Sequence, residues 1–194
     1  GWKYRYFFDF NFGYNGSENF ARGHRFGFFP AGSLGWILSN EAFLKGNPIL
    51  NYLKLRASYG LLGNENIGLY KYQTFIDMGN GEEKEYGNPE ITWEKVKMLN
   101  IGADIRLFKD LSLTFDWYEK TTSGMLITPP ISSIGGTWAT AINSGKVRNR
   151  GWEFSANYDK QFKDFGFSIH GGLSQNKNKI IDLFGAPYDL SLIH

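Results

Sequence analysis

Every even position from Trp2 to Tyr14 is aromatic: Trp2, Tyr4, Tyr6, Phe8, Phe10, Phe12 and Tyr14. Between them stand Lys3, Arg5, Phe7, Asp9, Asn11 and Gly13. A strand sends alternate side chains to opposite faces. The segment therefore has one wholly aromatic face and one that is mostly charged, polar or small. It is also longer than the usual strand of about 5–6 residues. Such a face must be covered, either by a second sheet or by an apolar solvent, and the two covers belong to different fold classes.

The same split by parity recurs six times. Around 28–38 the even positions are apolar or small, ending Leu34, Trp36, Leu38. Around 53–62, 99–107, 111–118 and 165–174 the odd positions are apolar, as in Leu99, Ile101, Ala103, Ile105, Leu107. Around 151–158 the even positions read Trp152, Phe154, Ala156, Tyr158. Seven segments of period 2 predict an all-β, antiparallel chain of about seven strands. Several of the opposite faces carry ionic residues, which a packed sandwich interior cannot hold and a wet lumen can. The connectors alternate too. Those near 108–110, 160–164 and 39–52 are shorter, while 15–27, 63–90 and 119–145 are long and rich in Gly, Asn, Ser and charge. Short turns at one end and long loops at the other are the arrangement of an outer-membrane β-barrel. Within the connectors, Glu41-Ala42-Phe43-Leu44 suits a helical turn and Asn15-Gly16 a tight turn.

Mean hydropathy is −0.36, which describes a soluble chain, but lumen-facing polar residues offset lipid-facing ones in a membrane barrel. The net charge of +2 makes no case for nucleic acid. The absence of cysteine excludes disulfides and thiolate metal sites. No run of 18 or more apolar residues offers a transmembrane helix.

Nothing in the chain is arranged for catalysis. His24, His170 and His194 have no metal-ligand spacing, and Glu82, Glu83 and Glu85 form an ordinary solvated charge run. Ser144-Gly145-Lys146 lacks the glycine spacing and the following Ser/Thr of a phosphate loop. No enzyme, cofactor or metal is expected. Exposed Tyr70, Tyr72, Tyr86 and Trp138 are candidates to stack on sugar rings, with loop packing as the alternative.

LKLRASYGLLGNENIGLYKY (53–72), NPEITWEKVKMLNIGADIRLF (88–108), DWYEKTTSGML (116–126) and NSGKVRNRGWEFS (143–155) resemble the SusC/RagA-type TonB-dependent transporters of the Gram-negative outer membrane. Phe26 to Trp36 and SNEAFLK (39–45) are similar to that family as well, in the family's order. The resemblance implies a 22-stranded barrel with a plug. It also implies energy supplied through the TonB complex, and a SusD-like surface lipoprotein that captures glycans or peptides. Residues 1–194 are then expected to be part of the barrel domain, a middle-to-late stretch of wall, with plug and remaining strands outside this sequence.

On that reading the chain serves import of an oligosaccharide or peptide across the outer membrane. By parity Lys54, Arg56, Asp104, Arg106, Asp116 and His170 face the lumen, to meet substrate or plug. Lys95, Lys97, Lys146, Arg148 and Arg150 share parity with lipid-facing residues and follow long loops. Cations there cost little near the interface and can meet lipopolysaccharide phosphates, the alternative being a solvated rim. The competing fold is a soluble carbohydrate-binding β-sandwich whose second sheet covers the aromatics. A third option, an all-β glycoside hydrolase, needs two carboxylates about 5–10 Å apart across a cleft.

Overall fold

A computed structural model describes residues 4–65, 68–76, 78–79, 83–85, 87–128 and 140–183. Its strands in chain order are β1 (Tyr6–Gly16), β2 (Phe26–Ile37), β3 (Leu50–Asn64), β4 (Phe75–Ile76), β5 (Glu83–Glu85), β6 (Glu94–Leu107), β7 (Leu111–Ile127), β8 (Ile142–Gln161) and β9 (Gly166–Asp182). Seven of them form one antiparallel sheet in the order β1-β2-β3-β6-β7-β8-β9, while β4 and β5 make a small hairpin inside the connection from β3 to β6. Each long strand pairs with the next long strand in sequence, which is the meander of an up-and-down barrel wall.

The seven expected strands are all present, with different ends. β6 starts at Glu94, β7 continues to Ile127 and β8 covers Ile142–Gln161. The extra residues include Thr121, Thr122, Ser123, Arg148 and Asn149. They carry no apolar contrast between faces, so periodicity is blind to them although the ladder continues. β1 begins later than the aromatic run, because Tyr4 takes a left-handed φ of 54° and leaves the alternation. Trp2 lies outside the described residues. Asn15 and Gly16 are the last paired residues of β1, opposite Gly27 and Phe26, and not a turn. The helical turn at Glu41 is present as a single turn, with the Leu44 and Lys45 amides donating to the Glu41 carbonyl, just after a 3-10 segment at Leu38–Asn40.

Among the described residues no second large sheet faces this one. Phe8, Phe10, Phe12 and Tyr14 are 58–69% exposed, and Phe115, Ile101, Leu173 and Ile169 on the same face are exposed as well. The accessible surface is 13856 Å², against about 9,300 Å² for a compact protein of this mass. This is not the β-sandwich alternative. An apolar face of that size in water is an association site, not a resting state.

The register shows how the wall is tilted. One row of directly opposed residues runs Phe10, Gly32, Tyr59, Leu99, Glu119, Arg150, Lys177. It starts in the centre of the aromatic stretch and ends among charges. The centre of the apolar stretch is at Phe10 in β1, but at Ala57 in β3, Ala103 in β6 and Ile169 in β9. By β9 it has slid eight residues from the row. A slide of about 26 Å along the strands over about 29 Å of sheet corresponds to strands tilted by about 40° from the normal of the apolar band. Membrane barrels have this tilt.

The short-connector end is fastened by side chains. The Lys109 amide donates to Asn51 Oδ1 at 2.6 Å, holding Phe108 and Lys109 in left-handed backbone, φ 53° and 68°. Lys160 pairs with Asp110 beside them. At the same end Glu41 accepts hydrogen bonds from Trp36 Nε1 (3.1 Å) and Tyr6 OH (2.8 Å) and pairs with Arg5 (2.9 Å). Those partners, the Trp36 indole foremost, hold its carboxyl below the ordinary carboxylate range. At the opposite end the connectors pack into a small core of Phe20, Phe29, Ile91 and Trp93, with Leu126 against it. A Cβ at Gly27 or Gly63 would overlap the Phe29 ring.

Candidate lumen and rim sites

The polar face holds all six lumen candidates within three successive rows. The first row is Arg56, Gly102, Asp116, Glu153, Ser174. The second is Lys54, Asp104, Thr114, Ser155, Gly172. The third is Arg106, Ser112, Asn157, His170. Three of the six touch. Arg56 Nη2 donates to Asp116 Oδ2 at 2.7 Å, and Arg56 Nε donates to Asp104 Oδ2 at 3.2 Å. One guanidinium on β3 thus reaches two carboxylates on β6 and β7.

Gly102 makes this reach possible. It sits directly between Arg56 and Asp116 in the row, and a Cβ there would lie 2.5 Å from Asp116 Oδ1 and 2.9 Å from Arg56 Cζ. Lys54 takes a different partner, its ammonium lying 5.8 Å from the centre of the Phe7 ring. Arg106 and His170 share a row but are separated by two strands, and no ion pair among the described residues engages either. Glu153, directly opposite Asp116, belongs to the same cluster. Its parity marked it as polar-face, but parity alone did not single it out.

The triad is half-open, with side-chain exposures of 37% for Arg56, 32% for Asp104 and 28% for Asp116. Partly solvated pairs contribute modestly, roughly 0.2–1 kcal/mol each. Their stronger effect is to present a fixed pattern of charge on the wall. One arginine bridges the two carboxylates, so they are joined through a shared cation and do not face each other across an open cleft as the pair of a glycosidase does.

At the long-loop end the connectors are bound to each other. Trp93 Nε1 donates to the Arg25 carbonyl at 3.1 Å, and Arg25 Nε donates to the Phe20 carbonyl at 3.1 Å. Asn143 accepts from the Thr92 amide at 2.9 Å and donates to the carbonyls of Thr92 (2.9 Å) and Gly124 (2.6 Å). Asn88 donates to the Ala141 carbonyl at 2.9 Å, and His24 meets Glu90 at 3.7 Å. Loops of irregular composition thereby form one packed mouth, which no sequence period announces. Tyr70 and Tyr72 stand edge to face at 6.3 Å, with Gln73 Nε2 donating to Tyr72 OH. Tyr86 and Trp138 lie outside the described residues.

The five rim candidates all fall on the aromatic face, beyond its apolar stretch. Lys95 is opposite Ser123 and then Lys146, while Lys97 is opposite Thr121 and then Arg148. Arg150 is opposite Glu119 on one side and Lys177 on the other.

The profile of the family described as "TonB dependent receptor-like, beta-barrel" matches residues 3–189. "TonB-dependent receptor P39" of Formosa agariphila is 38% identical over 178 residues, 87% of this chain and 17% of that protein. "TonB-dependent receptor SusC" of Bacteroides thetaiotaomicron is 30% identical over 199 residues, 93% of this chain and 20% of that protein. Among solved structures, the RagAB peptide importer in its "open-open" state superposes with a TM-score of 0.85 at 28% identity, covering 95% of this chain and 21% of the matched one. The chain spans about a fifth of the length of these relatives, which are receptors and transporters and not enzymes.

Proposed function

The chain belongs to the TonB-dependent receptor β-barrel family, and from that premise we propose that it forms part of the wall and outer mouth of an outer-membrane nutrient importer. The observation that carries this is the pairing of an uncovered aromatic face with a charged face across the same seven strands. Lipid covers the first and water fills the space before the second. The cargo class is an oligosaccharide or a peptide. The first is supported by likeness to SusC and the Tyr70–Tyr72 pair, the second by likeness to the RagAB peptide importer. A SusD-like surface lipoprotein is the proposed partner above the packed mouth. TonB engages through parts of the protein beyond these residues.

In this reading Arg56, Asp104, Asp116, Lys54, Arg106 and His170 line the passage and contact cargo or plug. The test uses the full-length receptor in cells, with single cysteines at Phe115 or Leu173 on one face and at Thr114 or Ser155 on the other. Membrane-impermeant maleimide added to opened membranes is expected to label the second pair and spare the first. Uptake of labelled oligosaccharides and peptides is then compared with and without an intact TonB complex. Labelling of both faces alike, or uptake indifferent to both the receptor and TonB, overturns the proposal.

A further inference from the structure

The basic rim is larger than its five residues from the sequence, because the register adds Lys177 opposite Arg150 and Lys179 opposite Arg148. Among the described residues, seven cations therefore stand on the aromatic face of β6, β8 and β9, bordered by two acids, Glu119 and Asp182. Like charges directly opposite each other on neighbouring strands repel. Arg148 with Lys179 and Arg150 with Lys177 are two such pairs in consecutive rows of one face. Strands lie about 4.8 Å apart and same-face neighbours about 7 Å apart, so one tetrahedral anion can be reached by all four long side chains. No ion pair among the described residues engages any of the four.

Their depth is also set. On β8 the outward residues run Arg150, Trp152, Phe154, Ala156, Tyr158, Lys160. Ten residues at the tilt found above rise about 25 Å, the height of the apolar band of a membrane barrel. Arg150 and Lys160 thus bracket the hydrocarbon. Trp152 donates its indole N–H to Gln175 Oε1 at 3.0 Å, as an interfacial tryptophan does. The four cations lie one and two rows beyond it, at the headgroup level on the long-loop side.

We propose that Arg148, Arg150, Lys177 and Lys179 bind the phosphate of a phosphorylated glycolipid of the outer leaflet, whose acyl chains run down over Trp152, Phe154 and Leu173. The inference rests on the membrane-wall reading above. Anchoring by acyl chains distinguishes this ligand from free phosphate, since the apolar stretch begins directly below the cations. Guanidinium and ammonium groups converging on phosphate form the strong, charge-assisted class of hydrogen bond.

The test uses the purified full-length receptor in detergent, titrated with bisphosphorylated lipid A, its dephosphorylated form, or inorganic phosphate, with bound lipid counted by native mass spectrometry. The intact receptor is expected to hold bisphosphorylated lipid A at least about tenfold more tightly than the dephosphorylated form, with inorganic phosphate failing to displace it. R148Q/R150Q/K177Q/K179Q is expected to lose that preference, while R148K/R150K/K177R/K179R keeps it. Heat-modifiable gel mobility reports that each variant is folded. Cargo uptake is expected to be unchanged, so a receptor that imports normally yet shows no phosphate preference overturns the lipid site alone. A quadruple-Gln variant that is folded and binds like the parent overturns it too. Displacement by inorganic phosphate alone also counts against it, as a free-anion site.

Discussion

Gly102 shows how one missing side chain organises the polar face. Its Cβ position is occupied by the approach of Arg56 to Asp116, so any larger residue must push those two apart. Gly102→Val in the full-length receptor is expected to break the contact and lower stability by about 1–2 kcal/mol. Gly171→Ala, where a Cβ meets open space, is the matched control and is expected to be close to neutral. Thermal unfolding in detergent reads the difference. Parity in the sequence assigned Arg56, Asp104 and Asp116 to one face, because a period of two depends only on position along each strand. It did not show that they touch, since that depends on register between strands separated by 48 and 60 residues. Parity placed Glu153 on that face too, and its position opposite Asp116 was hidden for the same reason. Phe20, Ile91 and Trp93 were illegible because packing between irregular loops follows no period.

The strands carry two signals laid end to end. Their middles alternate sharply and were readable, while their outer ends alternate between polar and polar and were not. β8 makes the division plain, with apolar contrast over Trp152–Tyr158 inside a strand of 20 residues. On the proposed reading, the physical cause is the change of surroundings along one continuous ladder, from hydrocarbon to headgroups to water. Substitution by lysine on the outward face of β7 measures that change. Phe115→Lys, near the middle of the apolar stretch, is expected to destabilise the reconstituted receptor by about 2–4 kcal/mol, and Thr121→Lys, at the rim, by about 0–1 kcal/mol. Equal costs from denaturant unfolding in bilayers would contradict the depth assignment. The same gradient accounts for Glu41, which is held ionised at the opposite border by Trp36, Tyr6 and Arg5.

At the scale of the molecule, the sheet formed by the described residues ends on two edge strands, β1 and β9. Unpaired backbone groups are not tolerated in hydrocarbon, and exposed edges in water recruit other chains. Residues 1–194 expressed alone are therefore expected to aggregate in plain buffer, with no cooperative unfolding transition by circular dichroism. A monodisperse, cooperatively folded product would show that the aromatic face has found another cover. The likeness to the family was legible because the matching segments lie on the wall itself, in strands whose two faces are each constrained.

Taken with the strand number that the resemblance implies, the sideways drift of the apolar stretch from Phe10 to Ile169 gives a width. Twenty-two strands closing at that tilt enclose a tube about 45 Å across between backbones. Side chains narrow it, yet the remaining bore admits small folded proteins as freely as nutrients. A cell could not keep such a pipe open. On the proposed reading a wall of that many strands at this slant is thus an argument for a stopper, and we propose that the conduit's selectivity lies in what blocks it.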